Sequence, residues 1–462
     1  MIQVRSRRLK IFFNKKNYCP NLKDFLFFLL FLTLPFQLGK HFWLKESFLF
    51  GLKVDYLSPA FYFQDLLILI LIFLEIGQSF VLKGNIKKIS ISFKVFKKYI
   101  NDKFAVITKN KLKLWFYFLT IVFIVLNIVF SKAPRISLYW WIRIFEFFLL
   151  GVVIKRNLKK AFKILFICLP LILFFEFFLG FFQALKSSSL GGFFWFFGER
   201  SFNILTPGIA RGSFLGKVFL RPYATFSHPN SLAGFTLVCL VLLLGKEEKN
   251  YFDKIALILG IALIVLSFSR AAWLSLTLVF FFFFVFRLFS FVKKKENPFS
   301  YSYFLALIAS FPLFYLFTRT TIDSSSFEIR IKLAESALRL IKANPLFGVG
   351  AGNFVIGLSE SNQIWQWLYW LQPVHNIFLL LFSELGLIFG VLFPYFYFRT
   401  FFNLFKDLSK FQRQKLTLAA GLLSVALTGL FDHYWLTLIQ NQLLLTTLLS
   451  FSIFNKENLS FK

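Results

Sequence analysis

Eight ionisable side chains stand at the edges of long apolar runs: Arg211, Arg221, His228, Arg270, Arg330, His375, Asp432 and His433. Guanidinium groups grip phosphate oxygens in pairs and stay charged at any working pH. Imidazole exchanges a proton near neutrality. Together they are the parts needed to hold a diphosphate-bearing lipid and to take a proton from a nearby hydroxyl. Arg270 sits in Ser269-Arg270-Ala271-Ala272 between two apolar runs with almost no loop, where an unpaired charge is costly, so it should face a polar cavity or an anionic ligand. Arg221 opens a turn-rich stretch, Arg221-Pro222-Tyr223-Ala224-Thr225-Phe226-Ser227-His228-Pro229-Asn230. Irregular backbone at a membrane edge is tolerated only beside protein or a watery cavity, which makes His228 and Asn230 secondary candidates. His375 follows Pro373 and precedes Asn376, a further secondary candidate, where a span begins. Asp432-His433-Tyr434-Trp435 reads as an interfacial span cap.

These residues need elements to bring them together, since they are spread over more than 200 residues. Of the 462 residues, 58% are hydrophobic and 16% charged, against about 45 to 50% and about 25% in ordinary globular chains. A soluble core cannot hold 73 Phe, so a polytopic membrane protein leads. Apolar runs fall at about 25–39, 61–82, 114–130, 139–154, 164–183, 231–245, 255–268, 271–289, 301–318, 376–398, 416–430 and 435–454. They are continuous rather than alternating, so they read as about twelve transmembrane helices and an all-α fold.

Orientation follows from the 53 Lys and Arg. With a cytoplasmic N-terminus, 36 of them fall in the inner segments and the other 17 outside, which makes both termini cytoplasmic. The expected organisation is a basic N-terminus (1–24), five spans (25–183), an outer loop (184–228), four spans (229–318), a large outer loop (319–374), three spans (375–454) and a tail (455–462). The basic N-terminus and the long run behind it, lacking an A-x-A site, read as an uncleaved first span. The net charge of +32 is scattered in short clusters between spans rather than gathered on one domain, which excludes a nucleic-acid partner. Cys19, Cys168 and Cys239 form neither a disulfide framework nor a C-x-x-C site.

The two long outer loops are where a site would be built. In the second, Ser325-Ser326-Phe327-Glu328 reads as a capping box. Ile331, Ala334, Leu338 and Ile341 then make the apolar stripe of an amphipathic helix on the outer face, stopped by Asn344-Pro345. Trp365, Trp367, Tyr369 and Trp370 crowd the approach to His375, as an aromatic belt or a sugar-stacking surface. Gly348-Val349-Gly350-Ala351-Gly352-Asn353 has no βαβ context and is not a dinucleotide fingerprint. It reads as a flexible connection or a close backbone approach to ligand. No cofactor or metal is expected: the outer acids include no compact D-x-D, and only convergence of distant carboxylates, Asp55 foremost, would supply a metal site.

The chain resembles the bacterial O-antigen ligase and polymerase superfamily, whose relatives include protein O-oligosaccharyltransferases. The resemblance rests on Arg221 to Asn230, Ser269-Arg270-Ala271-Ala272, and Arg330 followed by Asn344-Pro345-Leu346-Phe347-Gly348-Val349-Gly350-Ala351-Gly352-Asn353-Phe354. It continues in His375-Asn376 leading to Glu384-Leu385-Gly386, so that it spans about 221–386. Leu34-Pro35-Phe36-Gln37 and Val54-Asp55-Tyr56-Leu57-Ser58-Pro59 add to it with less force. It implies a multi-span glycosyltransferase of the GT-C type acting at the outer face of the cytoplasmic membrane. The donor would be an undecaprenyl-diphosphate-linked glycan and the acceptor a hydroxyl of a glycan, glycolipid or protein. Arg221, Arg270 and Arg330 would hold the diphosphate, with Arg211 a weaker candidate, and His375 would lie by the reacting hydroxyl. Transfer would proceed with inversion, as ligation or polymerisation. A flippase or transporter is the competing class, favoured by mid-span acids such as Glu75, Glu146 and Glu176.

Overall fold

The computed structural model describes residues 21–81, 111–214, 216–294, 324–360, 371–405 and 413–454. Their α-helices are α1 (Leu22–Leu32), α2 (Phe63–Val81), α3 (Lys111–Val129), α4 (Pro134–Arg156), α5 (Leu158–Lys186), α6 (Pro229–Leu244) and α7 (Tyr251–Leu266). They continue as α8 (Arg270–Lys294), α9 (Ser324–Ala343), α10 (Phe354–Glu360), α11 (Ile377–Asn403), α12 (Arg413–Gly429), α13 (Tyr434–Thr437) and α14 (Ile439–Phe454). The protein is mostly helical, and helices occupy eleven of the twelve apolar runs; the run at 301–318 lies outside the described residues. Among the described residues, α4, α5 and α11 are long and apolar enough to cross a membrane, and several other apolar helices are shorter. The first run is cut short. α1 stops at Leu32 because Pro35 disfavours helical backbone in the residue before it and supplies no N–H.

The bundle is organised around α6, whose residues from Pro229 to Leu243 are all buried and which packs against α5, α7, α8, α12 and α14. A helix apolar all round belongs at the centre of a bundle, and Pro229 at its first position matches the fixed φ that a helix start needs. The all-α expectation holds for this bundle. Among the described residues the connections add six short strands in antiparallel pairs: β1 (Gly39–His41) with β4 (Ala60–Tyr62), β2 (Phe48–Leu49) with β3 (Leu52–Lys53), and β5 (Arg211–Phe214) with β6 (Lys217–Leu220).

One buried and one part-buried ion pair fix the first helices. Arg143 on α4 meets Asp65 on α2 through both guanidinium nitrogens, at 3.2 and 2.9 Å, and also donates to the Ala60 carbonyl and the Tyr139 hydroxyl. Ten residues further along α2, and so about 15 Å away, Glu75 accepts from Lys23 at 2.7 Å and from Asn157 at 3.0 Å. Thr225 brackets Glu176 on α5, its N–H at 3.3 Å and its hydroxyl at 2.9 Å. Two of the mid-span acids that favoured transport are thereby engaged in tying helices and loops together.

The second long loop differs from the sequence reading in its details. α9 begins at Ser324, ahead of the expected capping box, and buries Leu333 and Ala337 while Ile331 and Leu338 are exposed. Its packed face is therefore rotated from the expected stripe, because α9 lays Leu333 and Ala337 into the apolar cluster with Phe354, Val355 and Val374. The glycine-rich turn after it approaches protein. Gly352 has φ +71°, and a Cβ there would collide with the Trp140 indole, while Gly350 at φ +98° faces Ser131. Backbone bonds stitch the turn into a kink of α11 at Gly386: Val349 N–H to Ser383, Gly350 N–H to Glu384 and Leu387 N–H to Pro345. Asn353, fully buried, donates to Ser137 Oγ at 2.7 Å and accepts from Ala133 N–H at 2.8 Å. Buried amides with every arm engaged make this connection stiff.

Candidate functional site

At one end of the bundle lies a cavity of about 720 Å³, and all four histidines of the chain, His41, His228, His375 and His433, line it. Its walls come from distant parts of the sequence: Gln37 to Tyr62, Tyr139 to Arg143, Trp195 to Ser201, Ser227-His228, Leu371 to His375, and Asp432 to Gln442. β1, β4 and the turn at Asp55–Leu57 deliver His41, Asp55 and Tyr56, and the Arg143–Asp65 pair holds α4 and α2 together behind them.

His375 sits just before α11, whose N-cap is Asn376. That amide accepts from the N–H groups of Phe378 and Leu379 and donates to the Leu430 carbonyl at 3.2 Å. Asn376, nominated from sequence, is thus the bracket that fixes His375 against the end of α12. There Asp432 meets it. His375 Nδ1 lies 3.4 Å from Asp432 Oδ1, long for a hydrogen bond but close for electrostatics. Asp432 Oδ1 also accepts from the His433 N–H at 2.8 Å, and Oδ2 accepts from Asn230 Nδ2 at 3.0 Å. The His433 ring lies 5.2 Å from that of His375 and 5.4 Å from that of Tyr56.

Asn230 carries the network to the arginines. Its Oδ1 accepts from Arg221 Nη2 at 2.6 Å, and Arg221 Nε donates to the Ser267 carbonyl at 2.7 Å. Ser267 stands three residues before Arg270, and Arg330 Nη1 reaches the carbonyl of Phe431, beside Asp432, at 3.4 Å. Arg221 feels the charges of Arg330, Arg270 and Asp432 together. The three arginines of the sequence motifs therefore converge. They do so across Asp432 from the histidine cavity, whose walls include none of them. Arg211 stays apart: it is exposed at the start of β5, paired with Leu220.

Burial sets the charge states. It pushes Arg221 down to about 10, with its neighbouring arginines adding to the effect, so it stays charged at neutral pH. His228 is pushed down to about 3 by burial and by Arg221. Its Nδ1 caps α6 by accepting from Asn230 N–H at 3.1 Å, which leaves the proton on Nε2. His433 is pushed down to about 3, mainly by burial. Burial alone would raise Asp432, but His375 beside it and the other histidines hold its carboxyl well below the usual range.

The site thus contains most of what the sequence nominated. His375, His228 and Asp55 line the cavity, Arg221, Arg270 and Arg330 cluster behind Asp432, and Asn230 joins the two. Trp365, Trp367, Tyr369 and Trp370 lie outside the described residues. What sequence reasoning missed is the place of Asp432 between His375 and Asn230, and the signal was there: an acid with a neighbouring His at a span end, facing an imidazole that lacked a carboxylate partner.

Residues 255–394 match the family model described as O-Antigen ligase. The match takes in Arg270, Arg330 and His375, and Arg221, His228, Asn230 and Asp432 lie outside it. No curated protein matches the chain. Residues 255–394 are thus similar to the O-antigen ligase family, and the match supports a place for the chain in that superfamily of ligase- and polymerase-type membrane enzymes, whose members use lipid-linked glycans.

Proposed function

We propose that the protein transfers a glycan from an undecaprenyl-diphosphate donor to an acceptor hydroxyl at the outer face of the cytoplasmic membrane, in a GT-C-type arrangement of about twelve spans. The observation that carries this is the continuous chain His375, Asp432, Asn230, Arg221, which couples a proton acceptor to a cluster of guanidinium groups. The acceptor oxygen attacks the anomeric carbon of the donor sugar as its proton passes to His375 Nε2. The bond from that carbon to the diphosphate oxygen breaks, its electron pair leaves with the diphosphate, and the configuration inverts. Asp432, on the Nδ1 side, orients the ring and favours the imidazolium that forms. Arg221, Arg270 and Arg330 take the charge of the leaving diphosphate, as fixed cations placed where charge develops. They fill the place that a divalent metal has in other transferases, so transfer is expected without one. Ligation and polymerisation share this chemistry and differ in the acceptor.

The test is reconstitution. The purified protein in liposomes with a lipid-diphosphate-linked glycan and a hydroxyl acceptor should release undecaprenyl diphosphate as the acceptor gains mass. Movement of the intact lipid across the bilayer with neither product would assign the chain to transport.

A further inference from the structure

We propose that His375, Asp432 and His433 form a binding site for a divalent transition-metal ion of the zinc type, and that its occupancy switches transfer off. Binding stands on the geometry alone; its inhibitory effect rests on the reading of His375 as the proton acceptor.

The three side chains offer one ligand atom each, all within 4.8 Å of one another. The carboxylate oxygen is 3.4 Å from His375 Nδ1 and 3.9 Å from His433 Nε2. Ligand atoms around a four-coordinate zinc stand roughly 3.3 Å apart, given bonds of about 2.0 to 2.2 Å. The carboxylate is therefore near that spacing already, and ring rotation closes the gap between the imidazoles. Two nitrogens and one oxygen, with a fourth position toward the cavity, suit Zn²⁺, Ni²⁺ or Cu²⁺ and not Mg²⁺.

The surrounding bonds aim the lone pairs inward. Thr437 Oγ1 lies 3.2 Å from the His433 carbonyl and 2.8 Å from His433 Nδ1; with the hydroxyl proton on the carbonyl, Nδ1 donates to Thr437 and Nε2 keeps its lone pair. Such outer bonds set the tautomer of a metal-binding imidazole. Asp432 is held by the His433 N–H and by Asn230 Nδ2, and His375 Nδ1 makes no hydrogen bond among the described residues.

Inhibition follows from the position of one proton. Neutral imidazole carries a single N–H, so a metal on Nδ1 of His375 leaves that proton on Nε2. The nitrogen that should receive the acceptor's proton then has no lone pair. Metal and reaction compete for the same ring.

The experiment uses the full chain, purified in detergent with any affinity tag removed and chelator dialysed away, and ZnCl₂ as the probe. Equilibrium dialysis with elemental analysis should find one zinc per chain, and His433→Gln should weaken binding at least about tenfold. Zinc should inhibit wild-type transfer, EDTA should reverse this, and in His433→Gln the zinc concentration that halves the variant's own zinc-free rate should shift by the same factor. If that variant fails to fold, Thr437→Val is measured instead, since it removes the outer bond and keeps all three ligands. Absence of zinc binding, or binding equally tight in His433→Gln and Asp432→Asn, overturns the site. Binding as described without inhibition overturns the switch. Zinc binding in a protein that transfers no glycan leaves the site standing and contradicts the proposed function instead.

Discussion

His375, just ahead of α11, and Asp432, just past the end of α12, meet with Nδ1 of the one 3.4 Å from Oδ1 of the other. The carboxylate is ionised in its buried place and is held there by two further donors, Asn230 Nδ2 and the His433 N–H. Asp432→Asn keeps the shape and removes the negative charge that stands 3.4 Å from His375 Nδ1. It should lower kcat by about 10²-fold or more with little change in KM, measured on the reconstituted protein. An unchanged kcat would make the pair a structural contact.

Replacing each of Arg221, Arg270 and Arg330 by Lys should abolish most activity, because an ammonium keeps the charge but cannot grip two phosphate oxygens. Arg221 and Arg330 should differ in stability. Arg221→Lys breaks the bonds to Ser267 and Asn230 and should also lower Tm, whereas Arg330→Lys, which gives up a long 3.4 Å bond to the Phe431 carbonyl, should melt near wild type. Full activity in two of the three would remove the diphosphate from this cluster.

The buried histidines make stability depend on acid. A group whose pKa is depressed on folding binds more protons when unfolded, so stability is lost as pH falls below the unfolded value. For His228 and His433, both pushed down to about 3, the loss begins below about 6.5 and continues to about 3. Asp432 adds a loss of the same sign below about 3.9. Tm in detergent should fall between pH 7 and 5. His228→Asn, which still caps α6, should flatten the dependence, and an equal slope would show that folding does not depress the His228 pKa.

Asp65→Ala leaves Arg143 buried without its anion and should cost about 3 to 5 kcal/mol. The double variant Asp65→Leu with Arg143→Met should recover much of that, read from Tm in the same detergent. A single variant as stable as the double one would show that water reaches the pair.

The bundle was legible because its signal is long: continuous apolar runs announce helices whatever their partners. The convergence of Arg221, Arg270 and Arg330 was legible only through the alternation of loops, which puts distant residues at one end. The packed face of α9 was not, since Ile331 and Leu338 are as apolar as Leu333 and only the neighbouring α10 and α11 decide which side is covered. Nor was Asn353: one buried amide that ties a glycine-rich turn to Ala133 and Ser137 has no periodicity to read. The strand pairs escaped for a related reason, as strands of two to four residues are shorter than any alternation that marks them.

The measurement closest to the central claim follows one donor in liposomes: a lipid-diphosphate glycan labelled in both lipid and sugar, with excess EDTA throughout. The account predicts that wild-type protein moves the sugar label to the acceptor and releases undecaprenyl diphosphate, and that His375→Ala and Asp432→Asn do neither although they insert normally. Transfer abolished by EDTA and restored by Mg²⁺ would contradict it, as would undiminished transfer in His375→Ala.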